Sequence, residues 1–385
     1  MHIAERVAEK ALTWVLHQRL NHHLKLYPVK NRRLPEPKTG RAHALYLHIP
    51  FCESLCPYCS FNRFLMNDSL ARRYFDLLRR EMVMTAERGF QFQTLYIGGG
   101  TPTVLPDELA RTIDLARSLF NIHEVSCETN PNHLTPDKLA YLTGRVDRLS
   151  VGIQSFDDQL LANMNRLETM GNGEKLMKHI ASAIGAVPVL NVDLIFNLPT
   201  QSESSLRRDL QMAMDSGANQ ITYYPLMAAP GTLRSMENAM GSYSANAERS
   251  YYEIVFDTLS RRFPASSAWT FSERTVNMID EYIVDYGEHV GLGSGSFSYL
   301  DGTLYANTFS LSDYEAMITA GDAPMLGVHP YSRHQQMRYD FLMNFFGLEM
   351  DRVKFEQRFG LPIELALPLE MGFMRQRKFD RQPKA

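Results

Sequence analysis

The sequence predicts an α/β fold: a partial (β/α)6 barrel of the TIM-like kind, with an N-terminal helical extension and a small, mainly helical C-terminal domain. Two observations carry this prediction. From residue 44 to about 227, short apolar or aromatic runs alternate with longer segments of helical period. Cys52, Cys56 and Cys59, three of the four cysteines, follow the first of these runs. A loop just past a strand's C-terminal end is where α/β folds place their chemistry. Alternation of this kind implies parallel strands joined by right-handed crossovers.

Residues 1–42 form the extension and a linker. Ile3, Val7, Leu12, Val15, Leu16 and Leu20 recur at three-to-four spacing, which predicts a helix to about Leu26. Its outer face is basic, and Lys30, Arg32, Arg33, Lys38 and Arg41 carry the charge through the linker. A docking helix with a solvated face accounts for this. A surface for anionic lipid or an acidic electron donor is the sharper alternative.

Residues 43–240 read as the barrel. Strand-like runs fall at 44–51, 93–98, 124–129, 147–154, 188–197 and 220–227. Helical patterns fall at 69–88, 106–119, 135–144, 157–165, 174–185 and 203–216, with Gly171-Asn172-Gly173 marking a break between two of them. Residues 241–325 read as an α/β extension, with a helix at 245–262 and a glycine-rich segment, Gly291 to Phe297. That segment is not a dinucleotide fingerprint, since no strand–turn–helix unit with a downstream acid surrounds it. Helices at 311–319 and 334–346 follow, and residues 326–385 read as the C-terminal helical module.

Composition bounds the function. The chain has 385 residues, 44% apolar and 22% charged, the balance of an ordinary globular protein. A net charge of −3 gives no overall basic field for nucleic acid. No run of 18 apolar residues is present, so no transmembrane helix is expected. The absence of a signal-peptide pattern and of a disulfide framework makes the cytoplasm the expected compartment.

The cysteines are spaced Cx3Cx2C. Three thiolates at this spacing suit three irons of a [4Fe–4S] cluster, leaving the fourth open to a small molecule. A closed zinc site with His48 as fourth ligand, and redox thiols, are the alternatives. Cys127 reads as a small buried hydrophobe. A second run, Leu95 to Gly100, ends in three glycines before Thr101-Pro102-Thr103. Glycine lets backbone approach a ligand; a plain strand-to-helix turn, capped by Thr101 or Thr103, fits equally. No Gly-Lys-Ser/Thr follows, so this is not a P-loop. Glu128 and Asp193 lie within apolar runs, where a carboxylate is expensive unless paired or liganded.

These stretches, taken in order, resemble the radical S-adenosylmethionine (SAM) enzymes. Within them the chain resembles the oxygen-independent coproporphyrinogen III oxidase family, with its heme-chaperone and methyltransferase relatives. The carrying residues are Tyr46 to Cys52, Cys56 to Cys59, Gly98 to Thr103, Glu128 to Pro131, Val151 to Phe156, Asn165-Arg166 and Asp193 to Pro199. The resemblance implies a [4Fe–4S] cluster on Cys52, Cys56 and Cys59, with SAM completing the open iron. It implies reductive cleavage of SAM to a 5′-deoxyadenosyl radical, which abstracts hydrogen from a tetrapyrrole-type substrate. Reduced flavodoxin or ferredoxin is the implied electron donor.

By the same resemblance, Gly99, Gly100 and Thr101 meet the methionine end of SAM, and Tyr46 and Tyr58 offer aromatic faces, Tyr58 toward adenine. Glu128, Gln154, Arg166 and Asp193 converge on one mouth, Arg166 suiting a carboxylate and Asp193 ribose hydroxyls. Phe297 lines the pocket from a glycine-rich segment that closes over it. Tyr46 and Phe297 as core aromatics, and Arg166 as a surface charge, are the plain alternatives. The oxidases proper carry a further cysteine two residues past the triad, where this chain has Phe61. The chaperones' C-terminal His-Asn signature is not evident; the matching region reads Tyr305-Ala-Asn-Thr-Phe309. A radical SAM methyltransferase using two SAM molecules and a heme-trafficking chaperone with a retained cluster are therefore the alternative functions.

Overall fold

The computed structural model describes residues 25–29, 32–37, 43–273 and 287–376. The expected N-terminal helix and the chain's last residues lie outside them. The strands are β1 (His43–Ile49), β2 (Phe51–Cys52), β3 (Phe64–Leu65), β4 (Phe92–Gly99), β5 (Glu124–Thr129), β6 (Arg148–Gln154), β7 (Val189–Phe196), β8 (Gln220–Pro225), β9 (Thr270–Ser272), β10 (His289–Leu292), β11 (Phe297–Leu300), β12 (Thr303–Asn307) and β13 (Met325–Pro330). Eleven of them form one sheet in the order β13-β12-β11-β10-β1-β4-β5-β6-β7-β8-β9, while β2 and β3 pair separately. β1, β4, β5, β6, β7 and β8 are parallel neighbours in chain order, the six expected βα units. Among the described residues the sheet ends on β9 and β13, which do not pair with each other.

Register sorts the side chains between two faces. Leu45, Leu95 and Val125 are in line, as are Tyr46, Tyr96 and Ser126. The first set, with Leu47, Ile97, Cys127, Leu149, Val151, Val192 and Ile221, belongs to the main apolar core, where the crossover helices pack. Cys127 is fully buried there, away from the other thiols' loop. The opposite face is polar: Arg148, Ser150, Asn191, Gln220 and Thr222 are all buried. They satisfy one another, with Arg148 Nε donating to Gln220 Oε1 at 2.6 Å and Thr222 Oγ1 to Asn191 Oδ1 at 3.0 Å. An alternating polar and apolar pattern in parallel strands thus marks a lined interior rather than a solvated face.

The crossover helices form for local reasons. Asp68–Glu87 starts at Asn67, whose side chain accepts from Leu70 N. Such a cap contributes ~1 kcal/mol. Ala71, Tyr74, Phe75, Leu78 and Met82 then put one apolar stripe on the sheet. The expected helix at 157–165 stops at Asn163, because Asn165 takes φ +60°. Gly171 at φ +105° and the Asn172 cap then set the break before helix Gly173–Ala183.

β10 pairs parallel with β1, so the main sheet takes strands from both sides of residue 240. β13 crosses residue 326, and Tyr27 of the linker bridges to its Val328. Helices follow β13, beginning with Arg333–Phe346 and forming a C-terminal group. Met337, Phe355, Phe359, Ile363, Leu367 and Met371 make it a small core of its own. No helix among the described residues is long and apolar enough to cross a membrane.

Candidate functional site

β1 delivers the chain into the cysteine loop at the C-terminal ends of the barrel strands. The β2–β3 ladder closes that loop, pairing Phe51 with Phe64 and Cys52 with Leu65. Cys59 N donates to Cys56 O at 3.3 Å, and Arg63 Nη2 to Cys56 O at 2.7 Å. Cys52 and Cys56 are buried and Cys59 is half-buried.

His48 fastens the loop to the barrel. Its Nε2 lies 2.9 Å from Asn62 O, which can only accept, so Nε2 carries the proton. Nδ1 then accepts from Tyr46 Oη at 2.9 Å. Both ring nitrogens are committed, which removes His48 as a fourth metal ligand. Burial lowers its pKa to about 4, keeping the ring neutral. Tyr46 is thereby a support of this histidine as well as a half-buried aromatic face.

Each thiol has a donor. Thr101 Oγ1 donates to Cys52 Sγ at 3.7 Å, and Arg166 Nη1 to Cys56 Sγ at 3.6 Å. The Phe61 backbone N–H donates to Cys59. Burial nevertheless pushes Cys52 up to about 11 and raises Cys59. As free thiols these groups stay protonated; they become thiolates when iron supplies the opposing charge. Among the described residues no three His, Cys, Asp or Glu side chains are set for a single ion. One loop carrying three separate thiols, each with a donor on sulfur, fits a cluster in which every thiolate takes its own iron.

The three glycines serve the protein's own packing. A Cβ on Gly98 would lie 2.6 Å from Glu128 Oε1, and one on Gly99 2.5 Å from the His48 ring. On Gly100 it would meet Phe51 O at 2.7 Å. The backbone donors here are also spent: Gly99 N donates to Glu128 Oε2 at 3.0 Å, Gly100 N to Ile49 O at 2.8 Å and Thr101 N to Phe51 O at 2.7 Å. This edge is no anion nest. Thr101 makes no side-chain cap on the turn that follows, because its hydroxyl serves Cys52 and Asn130 instead.

Glu128, Gln154 and Asp193 sit on the successive strands β5, β6 and β7. Glu128, near the end of β5, also accepts from Tyr96 Oη at 3.0 Å. Asp193 on β7 accepts from Ser150 Oγ and Asn191 Nδ2, each at 2.7 Å. Gln154 ends β6 at φ +72°, a strained conformation for a residue with a Cβ. Arg166 is 3% exposed, which rules out the surface-charge alternative. Its Nη2 donates to Gly152 O and, at 3.2 Å, to Asn130 Oδ1. Its Nε, also buried, has no hydrogen-bond partner. Tyr58 points its hydroxyl at Arg166 and Cys56.

Gly291 to Ser296 of the glycine-rich segment are all buried. Gly293 is held by Glu81, which accepts from its N–H at 2.8 Å and from Tyr314 Oη at 2.6 Å. Asn62 Nδ2 donates to Ser294 O at 3.2 Å, so the segment braces the cysteine loop from the side. Phe297 lies at the start of β11, 36% exposed, with its ring 6.1 Å from that of Phe309.

Several residues that matter here were not singled out from the sequence: Asn62, Asn130, Ser150, Asn191, Glu53 and His133. Glu53 follows Cys52; it accepts from Asn132 Nδ2 at 2.6 Å and lies 3.2 Å from His133 Nε2. His133 holds its carboxyl down near 2. The one available signal was the Glu128-Thr-Asn-Pro131 stretch, which contains Asn130.

Comparisons with known proteins were consistent with this geometry. The radical SAM superfamily model matches residues 46–213. The heme chaperone HemW of Bacillus subtilis (strain 168) is 27% identical over 345 residues, 84% of this chain and 88% of the relative. The oxygen-independent coproporphyrinogen III oxidase of Bradyrhizobium diazoefficiens is 29% identical over 315 residues, 75% of this chain and 69% of the relative. Among solved structures, coproporphyrinogen III oxidase (HemN) from Escherichia coli, described as a radical SAM enzyme, aligns with a TM-score of 0.76. That alignment covers 94% of this chain and 92% of the other at 20% identity, a likeness of fold.

Proposed function

We propose, from the premise that the chain belongs to the radical SAM superfamily and its oxygen-independent coproporphyrinogen III oxidase-like family, that it cleaves SAM reductively in the service of a tetrapyrrole. The observation that carries this reading is the cysteine loop: three thiols, each with its own hydrogen-bond donor, beside a polar barrel mouth. Members of the superfamily use a [4Fe–4S] cluster and SAM. Cys52, Cys56 and Cys59 would hold the cluster. When bound, it supplies one electron to the SAM sulfonium, releasing methionine and a 5′-deoxyadenosyl radical able to take hydrogen from carbon.

The chain's own residues bind and orient. With their N–H groups spent, Gly99 and Gly100 have only carbonyl oxygen to offer a ligand, which suits an ammonium group. The Arg166 guanidinium, with a buried unpartnered Nε, supports a carboxylate. Asp193, which accepts from Ser150 and Asn191 on the polar face of β7, is the acceptor assigned to ribose hydroxyls. The strained Gln154 and the face of Tyr58 complete the mouth. Burial of Cys52 and Cys56 limits water around those two sulfurs.

The tetrapyrrole assignment rests on the printed names of the relatives. These include heme chaperones from Bacillus subtilis and Mycobacterium tuberculosis, an anaerobilin synthase from Escherichia coli O157:H7 and a coproporphyrinogen III oxidase. Phe61 at the position where the oxidases carry a further cysteine favours a second reading. In it the tetrapyrrole is heme carried as cargo, and SAM turnover is slight. One experiment separates them. Reconstituted protein is given SAM and dithionite anaerobically, with coproporphyrinogen III, with heme, or alone. A rise in 5′-deoxyadenosine with the porphyrinogen supports the enzyme. Stoichiometric heme binding without that rise supports the carrier. Neither response removes the tetrapyrrole.

A further inference from the structure

Asn130 lies between two groups that donate to cysteine sulfur. Its Nδ2 donates to Thr101 Oγ1 at 2.8 Å. Its Oδ1 accepts from Arg166 Nη2 at 3.2 Å. Thr101 Oγ1 in turn reaches Cys52 Sγ at 3.7 Å, and Arg166 Nη1 reaches Cys56 Sγ at 3.6 Å. A hydroxyl that accepts from an amide N–H has its single proton free for another acceptor, and here that acceptor is sulfur. An amide oxygen on one arm of a guanidinium fixes the plane of the fork and so the aim of the other arm. Thr101 and Arg166 are both nearly fully buried, so water does not compete for these donors.

We propose that Asn130 is a positioning residue that sets the reduction potential of the cluster, by holding Thr101 and Arg166 as simultaneous donors to the sulfurs of Cys52 and Cys56. Hydrogen bonds and positive charge at the thiolates stabilise the reduced, more negative cluster, and both are established determinants of cluster potential. One side chain touches the donors of two of the three ligating sulfurs: its loss frees the Thr101 hydroxyl and leaves Arg166 Nη2 with Gly152 O as its remaining acceptor. The third sulfur, on Cys59, takes its donor from the Phe61 backbone and does not depend on Asn130. The inference rests on the proposed cluster and goes beyond it, since it concerns the potential and not the presence of the metal.

The test is an anaerobic redox titration of the reconstituted full chain, followed by electron paramagnetic resonance of the one-electron-reduced cluster without SAM. Asn130→Asp keeps the size and the acceptor for Arg166 but turns the donor to Thr101 into an acceptor. The Thr101 proton then turns from sulfur to the new carboxylate. The expected result is a more negative midpoint, with the reduced fraction at fixed poise falling about tenfold, equivalent to ~59 mV for one electron. Thr101→Val, which removes the hydroxyl at constant shape, shifts the midpoint the same way, and Thr101→Ser restores it. This pair carries the test if Asn130→Asp does not retain four irons. Midpoints of Asn130→Asp and Thr101→Val equal to that of the parent overturn the proposal while leaving the cluster assignment standing. A parent chain that assembles no cluster overturns the assignment itself.

Discussion

Replacing Gly99 by alanine tests how the glycine run and the cysteine loop are joined. Gly99 has φ +116°, and a Cβ there would stand 2.5 Å from His48 Cε1 and 2.6 Å from Nδ1. The backbone conformation alone disfavours a side chain by ~1–3 kcal/mol. Forcing a methyl against a buried ring adds ~1–3 kcal/mol. The expected loss is ~2–6 kcal/mol, read as a fall in the urea midpoint at unchanged slope. If His48 yields, it releases Asn62 O and Tyr46 Oη, so iron retention in the presence of a chelator falls as well. A double-mutant cycle isolates the contact: in a His48→Ala background the ring is gone, and Gly99→Ala keeps only the backbone penalty. Additive losses, or a Gly99→Ala chain as stable and as iron-retentive as its parent, refute the reasoning.

Two further perturbations follow from the same geometry. Glu81 is fully buried, and burial raises its carboxyl from 4.5 to about 7 against the donors Tyr314, Gly293 and Asn307. An acid whose folded pKa is raised binds its proton more tightly when folded. The contribution of this carboxyl to stability is therefore fully present below about pH 4.5 and is lost as pH rises to about 7, by ~3 kcal/mol for a shift of that size. Urea midpoints at pH 5 and pH 8 should differ in the parent and converge in Glu81→Gln; equal parent midpoints count against it. Gln154→Gly relieves a φ of +72°, so it should raise stability by up to ~1 kcal/mol while lowering SAM affinity in equilibrium dialysis. Destabilisation, or unchanged affinity, would show that Gln154 is not strained for the sake of a ligand.

The barrel was legible because its signals are periodic. The six parallel strands and most crossover helices announce themselves through apolar runs and stripes within one or two residues of their ends. β9 to β13 were not legible. β9 has three residues, and β10 leads straight into a Gly-Ser-Gly turn, so neither offers an alternating run. The cysteine triad was legible because ligand spacing is local in sequence. The role of the glycines was not: what Gly98 and Gly99 avoid are Glu128 and His48, which only the folded sheet brings to them. The Thr101–Asn130–Arg166 bridge joins loops after three different strands, and Asn, Thr and Arg carry no spacing signal for such a contact.

The most direct test of the account is quantification of 5′-deoxyadenosine from the anaerobically reconstituted, dithionite-reduced chain with SAM. The account predicts four irons and four sulfides per chain, SAM cleavage in the parent, and loss of both cluster and cleavage in Cys52→Ala, Cys56→Ala and Cys59→Ala. Cys127→Ala, altered in the apolar core, should keep them. A parent that assembles a cluster yet forms no 5′-deoxyadenosine under any reductant, or cleavage that survives loss of the three cysteines, would contradict the central claim.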